Sequence, residues 1–201
     1  MFLAGIIWLV SVGAGLAILL AYERSPGAAA TVPSHWPAES GIERRPGAPV
    51  LLLFAHPHCP CSGASIEELD RIMARTGTTV ATRVLFIKPS GVAEDWQSTD
   101  LWRKAAAIRG VSVASDDGGR EASLFGAATS GQAILYGADG QLLFSGGITG
   151  ARGHAGDNPG RSAILALLNG GRATRSVTPV FGCSLRDPER SASGWRRTDG
   201  S

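Results

Sequence analysis

The chain has 201 residues, 18% of them charged, a net charge of +2 and three cysteines. That length holds one ordinary domain with attachments. The charge is too weak for a nucleic-acid binder, and three cysteines are too few for a disulfide-stapled scaffold. An odd count also leaves at least one cysteine outside any intramolecular pair.

Residues 1–22 come first, with no charged side chain from Phe2 to Tyr22. A helix rising ~1.5 Å per residue over that stretch spans the ~30 Å hydrocarbon core of a bilayer, so a transmembrane anchor is predicted. The start lacks Lys and Arg and the apolar run is long for a cleaved signal peptide, although Ala28–Ala30 would suit a cleavage site. A buried helix is the third reading. Positive-inside counting is nearly silent, with only Arg24 close to the span. The expected layout is a single-pass protein of the bacterial inner membrane with its large C-terminal part in the periplasm, where cysteines meet an oxidising medium.

Residues 23–45 are rich in Pro, Gly and Ala and read as a juxtamembrane linker, with Trp36 docking on the domain. A domain over residues 46–170 follows. "APVLLLFAH" has the near-continuous apolar pattern of a central parallel strand. From Ser62 the period becomes helical: Ile66, Leu69, Ile72 and Met73 share one face, and Glu67, Glu68, Asp70 and Arg71 fall largely on the other. "TTVATRVLFIKP" is a second strand. "STDLWRKAAAIRG" is a helix capped by Ser98, Thr99 or Asp100 and closed at Gly110. Val111–Ala114 is a short strand, and "DDGGREASLFGA" is a turn into a brief helix. "GQAILYGADGQLLFSGG" is a hairpin with Asp139-Gly140 in its turn. A glycine-rich loop leads to Asn158, which caps the closing helix "RSAILALLNGG". Residues 171–201 form a polar tail interrupted by "VTPVFGCSL", which carries Cys183.

The chemistry concentrates in "HPHCPCS". Cys59 follows the first strand and opens a helix, where unpaired N–H groups and the positive dipole end favour a thiolate. Cys61, two residues on, points well away on a helix. A Cys59–Cys61 disulfide therefore requires a distorted turn and would be strained and oxidising. Cys183 is the other resolving thiol if the tail folds back, with Val180 and Phe181 as its docking residues. His56 and His58 precede Cys59. The loop 147–158 returns His154, Arg152 and Asp157 to the same edge of the sheet, with Asp157 placed to orient His154. Cys59, Cys61, Cys183, His58 and His154 are the candidate catalytic residues. The same residue types are ligands for Cu(I) and Zn, so Cys59, Cys61, His154 and Cys183 form an alternative metal set, copper first. For His56 the bland reading is a hydrogen-bonded histidine closing the strand.

The order strand–helix–strand–helix–strand–helix–hairpin–helix resembles the thioredoxin-like superfamily over roughly Pro46 to Gly170. The resemblance implies an α/β fold: a three-layer α/β/α sandwich with a mixed sheet, here preceded by one transmembrane helix. "HPHCPCS", "GGITGARGHAGDN" and "TPVFGC" together resemble the membrane-attached bacterial RedB group. That resemblance implies a thioredoxin-like fold and a redox role. Ser62 stands where the superfamily usually has its second cysteine, and Cys61 where it has a spacer. At the start of the hairpin, where a cis-proline is usual, the chain has Thr129, Ser130 and Gly131, hydroxyls and amides suited to something smaller than a protein.

The expected function is a membrane-anchored thiol–disulfide oxidoreductase that needs no cofactor. Its partner is an unidentified thiol or disulfide electron donor or client protein. The alternatives are a copper-binding or copper-delivery protein and a non-catalytic thioredoxin-like scaffold. A peroxidase would have Thr or Ser at position 56. The glycine-rich loop lacks the Gly-Lys-Ser/Thr ending of a phosphate loop. The tail arginines (Arg172, Arg175, Arg186, Arg190, Arg196 and Arg197) read as a solvated terminus or an anionic-surface contact.

Overall fold

The computed structural model describes residues 2–45 and 47–185. The expected elements follow one another as α1 (Phe2–Glu23), β1 (Val50–Ala55), α2 (Ser62–Thr76), β2 (Ala81–Lys88), α3 (Asp100–Ala106), β3 (Val111–Asp117), α4 (Arg120–Leu124), β4 (Gln132–Tyr136), β5 (Leu142–Gly147) and α5 (Pro159–Leu168). The sheet order is β3-β2-β1-β4-β5. β1 runs parallel to β2 and β2 parallel to β3, whereas β4 is antiparallel to both β1 and β5. This is the thioredoxin-like arrangement, with a mixed sheet between two covering layers.

β1 is buried along its whole length, which explains its continuous apolar run. Strand alternation sends Leu51, Leu53 and Ala55 to one face, against Ile66, Leu69 and Ile72 of α2 and Ile164 of α5. Val50, Leu52 and Phe54 face the other way, toward Phe125, Ile134 and Tyr136. Each such fully buried side chain stabilises the fold by roughly 1.5–3 kcal/mol. Of the three candidate caps of α3 Thr99 is the one used, accepting from the Trp102 N–H at 3.4 Å, and Asn158 caps α5 by accepting from the Arg161 N–H at 2.7 Å.

The second layer is thin, because α4 has only five residues. Residues 25–45 complete it. Trp36 packs edge-on against Phe125 and Tyr136, with ring centroids 4.8 and 5.3 Å away, and Ile42 is buried beside them. The Pro33 carbonyl accepts from the Tyr136 hydroxyl at 2.9 Å, and Leu142 N–H donates to Ser34 O at 2.8 Å. A Pro/Gly-rich composition reads as linker, yet here it supplies an irregular cover for a sheet face that lacks a long helix.

The outer face of α2 also differs from its reading. Glu68 is fully buried, because the segment leading into α5 closes over it. Its carboxylate accepts from Gly156 N–H at 2.8 Å, from Asn158 Nδ2 at 3.1 Å, and from the Arg71 and Arg161 guanidinium groups. α1 projects from the domain with its large apolar side chains exposed. Among the described residues it alone is long and apolar enough to cross a membrane.

Candidate functional site: a three-thiol cluster

After β1 the chain turns before the helix begins. Cys59 N–H donates to His56 O at 3.1 Å and Ser62 N–H to Cys59 O at 3.0 Å, and α2 starts at Ser62. Cys59 therefore sits one turn ahead of the helix and is buried at 2% exposure. The tail comes to it by backbone pairing. Thr178 Oγ1 donates to Gly147 O at 2.8 Å. Ser130 N–H donates to Cys183 O at 2.8 Å and Leu185 N–H to Ala128 O at 2.9 Å. Leu185 is itself buried in the second layer, whereas Val180 and Phe181 are only half-buried.

Gly182 permits the approach, since a Cβ there would stand 1.9 Å from the Ser130 carbonyl oxygen. The Cys59 and Cys183 sulfurs lie 2.8 Å apart. With Cys61 they form a group whose sulfurs all fall within 4.8 Å of one another. A disulfide bond of ~2.05 Å needs only a small further approach of the first pair.

The three thiols are electrostatically unequal. Burial works against a Cys59 thiolate. The Cys183 thiol and backbone N–H, the Ser62 hydroxyl and the Cys61 N–H outweigh it and bring its pKa below the ordinary thiol value. Cys183 is pushed up to about 12 by burial, by its hydrogen bond to Cys59 and by the Cys59 charge, with Arg152 pulling the other way. Burial and the Cys59 charge also raise Cys61, again opposed by Arg152. So Cys59 is the thiol of the three that ionises most readily, and Cys183 is the one that keeps its proton and can donate it.

The iodoacetamide reactivity of Cys59 in the reduced protein is accordingly expected to have a midpoint below that of Cys61 or Cys183. In Cys183→Ala the midpoint should move upward, because burial is then opposed by fewer donors. A pH series of alkylation rates, with the modified residue identified by mass, checks both.

The other expected site residues are placed as follows. His58 is exposed, and its Nε2 lies 3.0 Å from the Trp96 carbonyl oxygen. His56 accepts the His58 N–H on Nδ1 at 3.1 Å, and both rings stand edge-on to Trp96. His154 is exposed with Nδ1 2.7 Å from Arg152 O, and the sulfur group does not include it. Asp157 pairs with Arg161 at 2.7 Å. The loop's contribution to the thiols is Arg152, whose guanidinium donates to Gly182 O.

Thr129 and Ser130 are buried, with the tail residues 182–185 lying over them. Ser130 Oγ accepts from His56 N–H at 2.8 Å and shares a 2.7 Å hydrogen bond with Ser62 Oγ. Gly131 donates its N–H to Phe54 O at 2.8 Å with φ +91, and a Cβ there would meet Ser65 Oγ at 2.6 Å. Glycine performs the turn into β4, and there is no cis peptide bond among the described residues. Trp96, which seats both histidines, carried no signal in the sequence. Arg186, Arg190, Arg196 and Arg197 lie outside the described residues.

No family model matches the chain, and no curated protein does. Solved structures do. A hypothetical protein of Sinorhizobium meliloti 1021 is 21% identical with a TM-score of 0.56, covering 80% of this chain and 93% of its own. An uncharacterized conserved protein of Geobacillus kaustophilus is 17% identical with a TM-score of 0.57, covering 82% and 94%. A secreted Mycobacterium tuberculosis disulfide oxidoreductase is 16% identical with a TM-score of 0.46, covering 62% and 83%. At these identities the likeness is one of fold.

Proposed function

We propose that the chain is a membrane-anchored thiol–disulfide oxidoreductase of the RedB group, in which Cys59 attacks and Cys183 resolves, with its domain in the periplasm. The 2.8 Å contact between the two sulfurs carries this reading. The Cys59 thiolate attacks a partner's disulfide, forming a mixed disulfide and releasing the partner's first sulfur as thiolate. Cys59 then carries no charge, so of the influences that raise Cys183 the Cys59 charge and hydrogen bond are gone; burial remains, opposed by Arg152, and the Cys183 pKa falls. The Cys183 thiolate attacks the Cys59 sulfur, the mixed bond breaks, and the partner leaves with two electrons. The protein is left with a Cys59–Cys183 disulfide and a free Cys61. The reverse sequence oxidises a dithiol.

Peptide mass mapping without reductant is expected to show Cys59 joined to Cys183, lost with dithiothreitol and regained on oxidation. Three free thiols after oxidation with diamide would sink the proposal.

The trio of sulfurs favours one second reading, a soft-metal site. Three cysteine sulfurs within reach of one another, beside an arginine that would offset the charge of their thiolates, suit Cu(I) better than carboxylate-preferring metals. Copper measured on protein never exposed to a chelator, together with reduced thiols, would favour it over the disulfide cycle.

A further inference from the structure

The chain between the apolar helix and the thiols has no slack. Arg152 N–H donates to the carbonyl of Glu23, the last residue of α1, at 3.0 Å. The Arg152 guanidinium lies 4.9 Å from the centre of the Tyr22 ring and reaches on to Gly182 O, beside Cys183. Gly27 N–H donates to Val180 O at 2.8 Å, and Thr129 Oγ1 donates to Ala28 O at 2.8 Å. A Cβ on Gly27 would stand 2.4 Å from the Thr129 side chain. The helix end, the loop carrying Arg152 and the tail carrying Cys183 are thus one block. A single arginine side chain bridges the end of α1 and the cysteine tail.

α1 leaves that block as a free rod, its large apolar side chains exposed and no charge from Phe2 to Tyr22. If the rod spans a bilayer, headgroup level falls at Tyr22–Arg24, where tyrosine and arginine are the residue types that settle. The thiols then lie at a fixed height, one Arg152 side chain from headgroup level. A soluble globular partner would meet lipid as it approached, whereas one embedded in the same bilayer brings its sulfur to a matching height. Confinement to the membrane also raises its effective concentration.

The geometry points to a thiol site that works at the membrane surface, exchanging with a cysteine pair that an integral membrane protein presents at headgroup depth. This names the partner class for the proposed oxidoreductase and rests on α1 being the membrane anchor.

The test uses the full chain, reduced and reconstituted in phosphatidylcholine vesicles containing a phosphatidylethanolamine with a 2-pyridyl disulfide on its headgroup. A protein thiolate attacks the lipid-tethered sulfur, forms a protein–lipid disulfide and releases pyridine-2-thione, whose absorbance gives the rate. Soluble 2,2′-dipyridyl disulfide gives a reference rate on the same sample. A helical spacer of about ten residues inserted after Arg24 lifts the domain by ~15 Å. The ratio of lipid-borne to soluble rate is expected to fall at least tenfold with the spacer. An unchanged ratio, or thiols that react with the soluble reagent only, would overturn the inference while leaving the anchor intact. Chain that fails to float with vesicles after carbonate washing would remove the anchor reading, and this inference with it.

Discussion

Replacing Cys183 with serine is expected to leave Cys59 trapped in mixed disulfides that the parent protein resolves. A thiol held against its target has an effective molarity of ~10⁵ M or more, against millimolar concentrations of any external thiol. That ratio of ~10⁸ is the ceiling for ideal alignment; loss of Cys183 should slow resolution by at least ~10³-fold, read as the decay of a Cys59–glutathione adduct by mass. Cys61→Ser should retain a Cys59–Cys183 bond. If Cys183→Ser resolves the adduct as fast as the parent, Cys61 is the resolving thiol. Gly182→Ala gives an independent route to the same end, because its Cβ would collide with the Ser130 carbonyl and push the tail outward. It should slow resolution with all three cysteines in place.

The sequence and the structure agree most closely where a local rule governs. The apolar run of β1, the caps at Thr99 and Asn158 and the hairpin turn at Asp139-Gly140 are each settled by neighbouring residues, and each was legible. The thiol pair was legible only by chemistry. Its geometry depends on Ala128 and Ser130 pairing with Cys183 and Leu185 across the second layer. That backbone pairing is blind to side-chain type, so Val180 and Phe181 drew attention that Gly182 and Leu185 deserved. The cover formed by residues 25–45 was hidden for a related reason. Whether a Pro/Gly-rich stretch is a tether or a lid depends on what the sheet face beneath it lacks. Arg152 was placed near the cysteines by topology, but its contacts with Glu23 and Tyr22 join segments more than 100 residues apart.

Glu68 shows the limit of periodicity most sharply, and it yields the second large effect. The helical pattern puts it on the polar face of α2, but a wheel cannot show that α5 and its leading loop pack there. Its side chain is 0% exposed, and that of its partner Arg161 is 11%. Glu68→Ala would leave the Arg161 guanidinium, the Asn158 amide and the Gly156 N–H without their shared acceptor. Removing one partner of a buried pair typically costs about 3–5 kcal/mol, and that loss is expected in urea unfolding of the detergent-solubilised chain. A change below about 1 kcal/mol would mean that water replaces the carboxylate and that the cluster is not a clasp. The consequence extends to the thiols. Glu68 holds the loop at Gly156, four residues after Arg152, and Arg152 offsets the negative charge on the sulfurs. Glu68→Ala should therefore also slow alkylation of Cys61 at any pH below its raised pKa, since a displaced guanidinium no longer favours its thiolate.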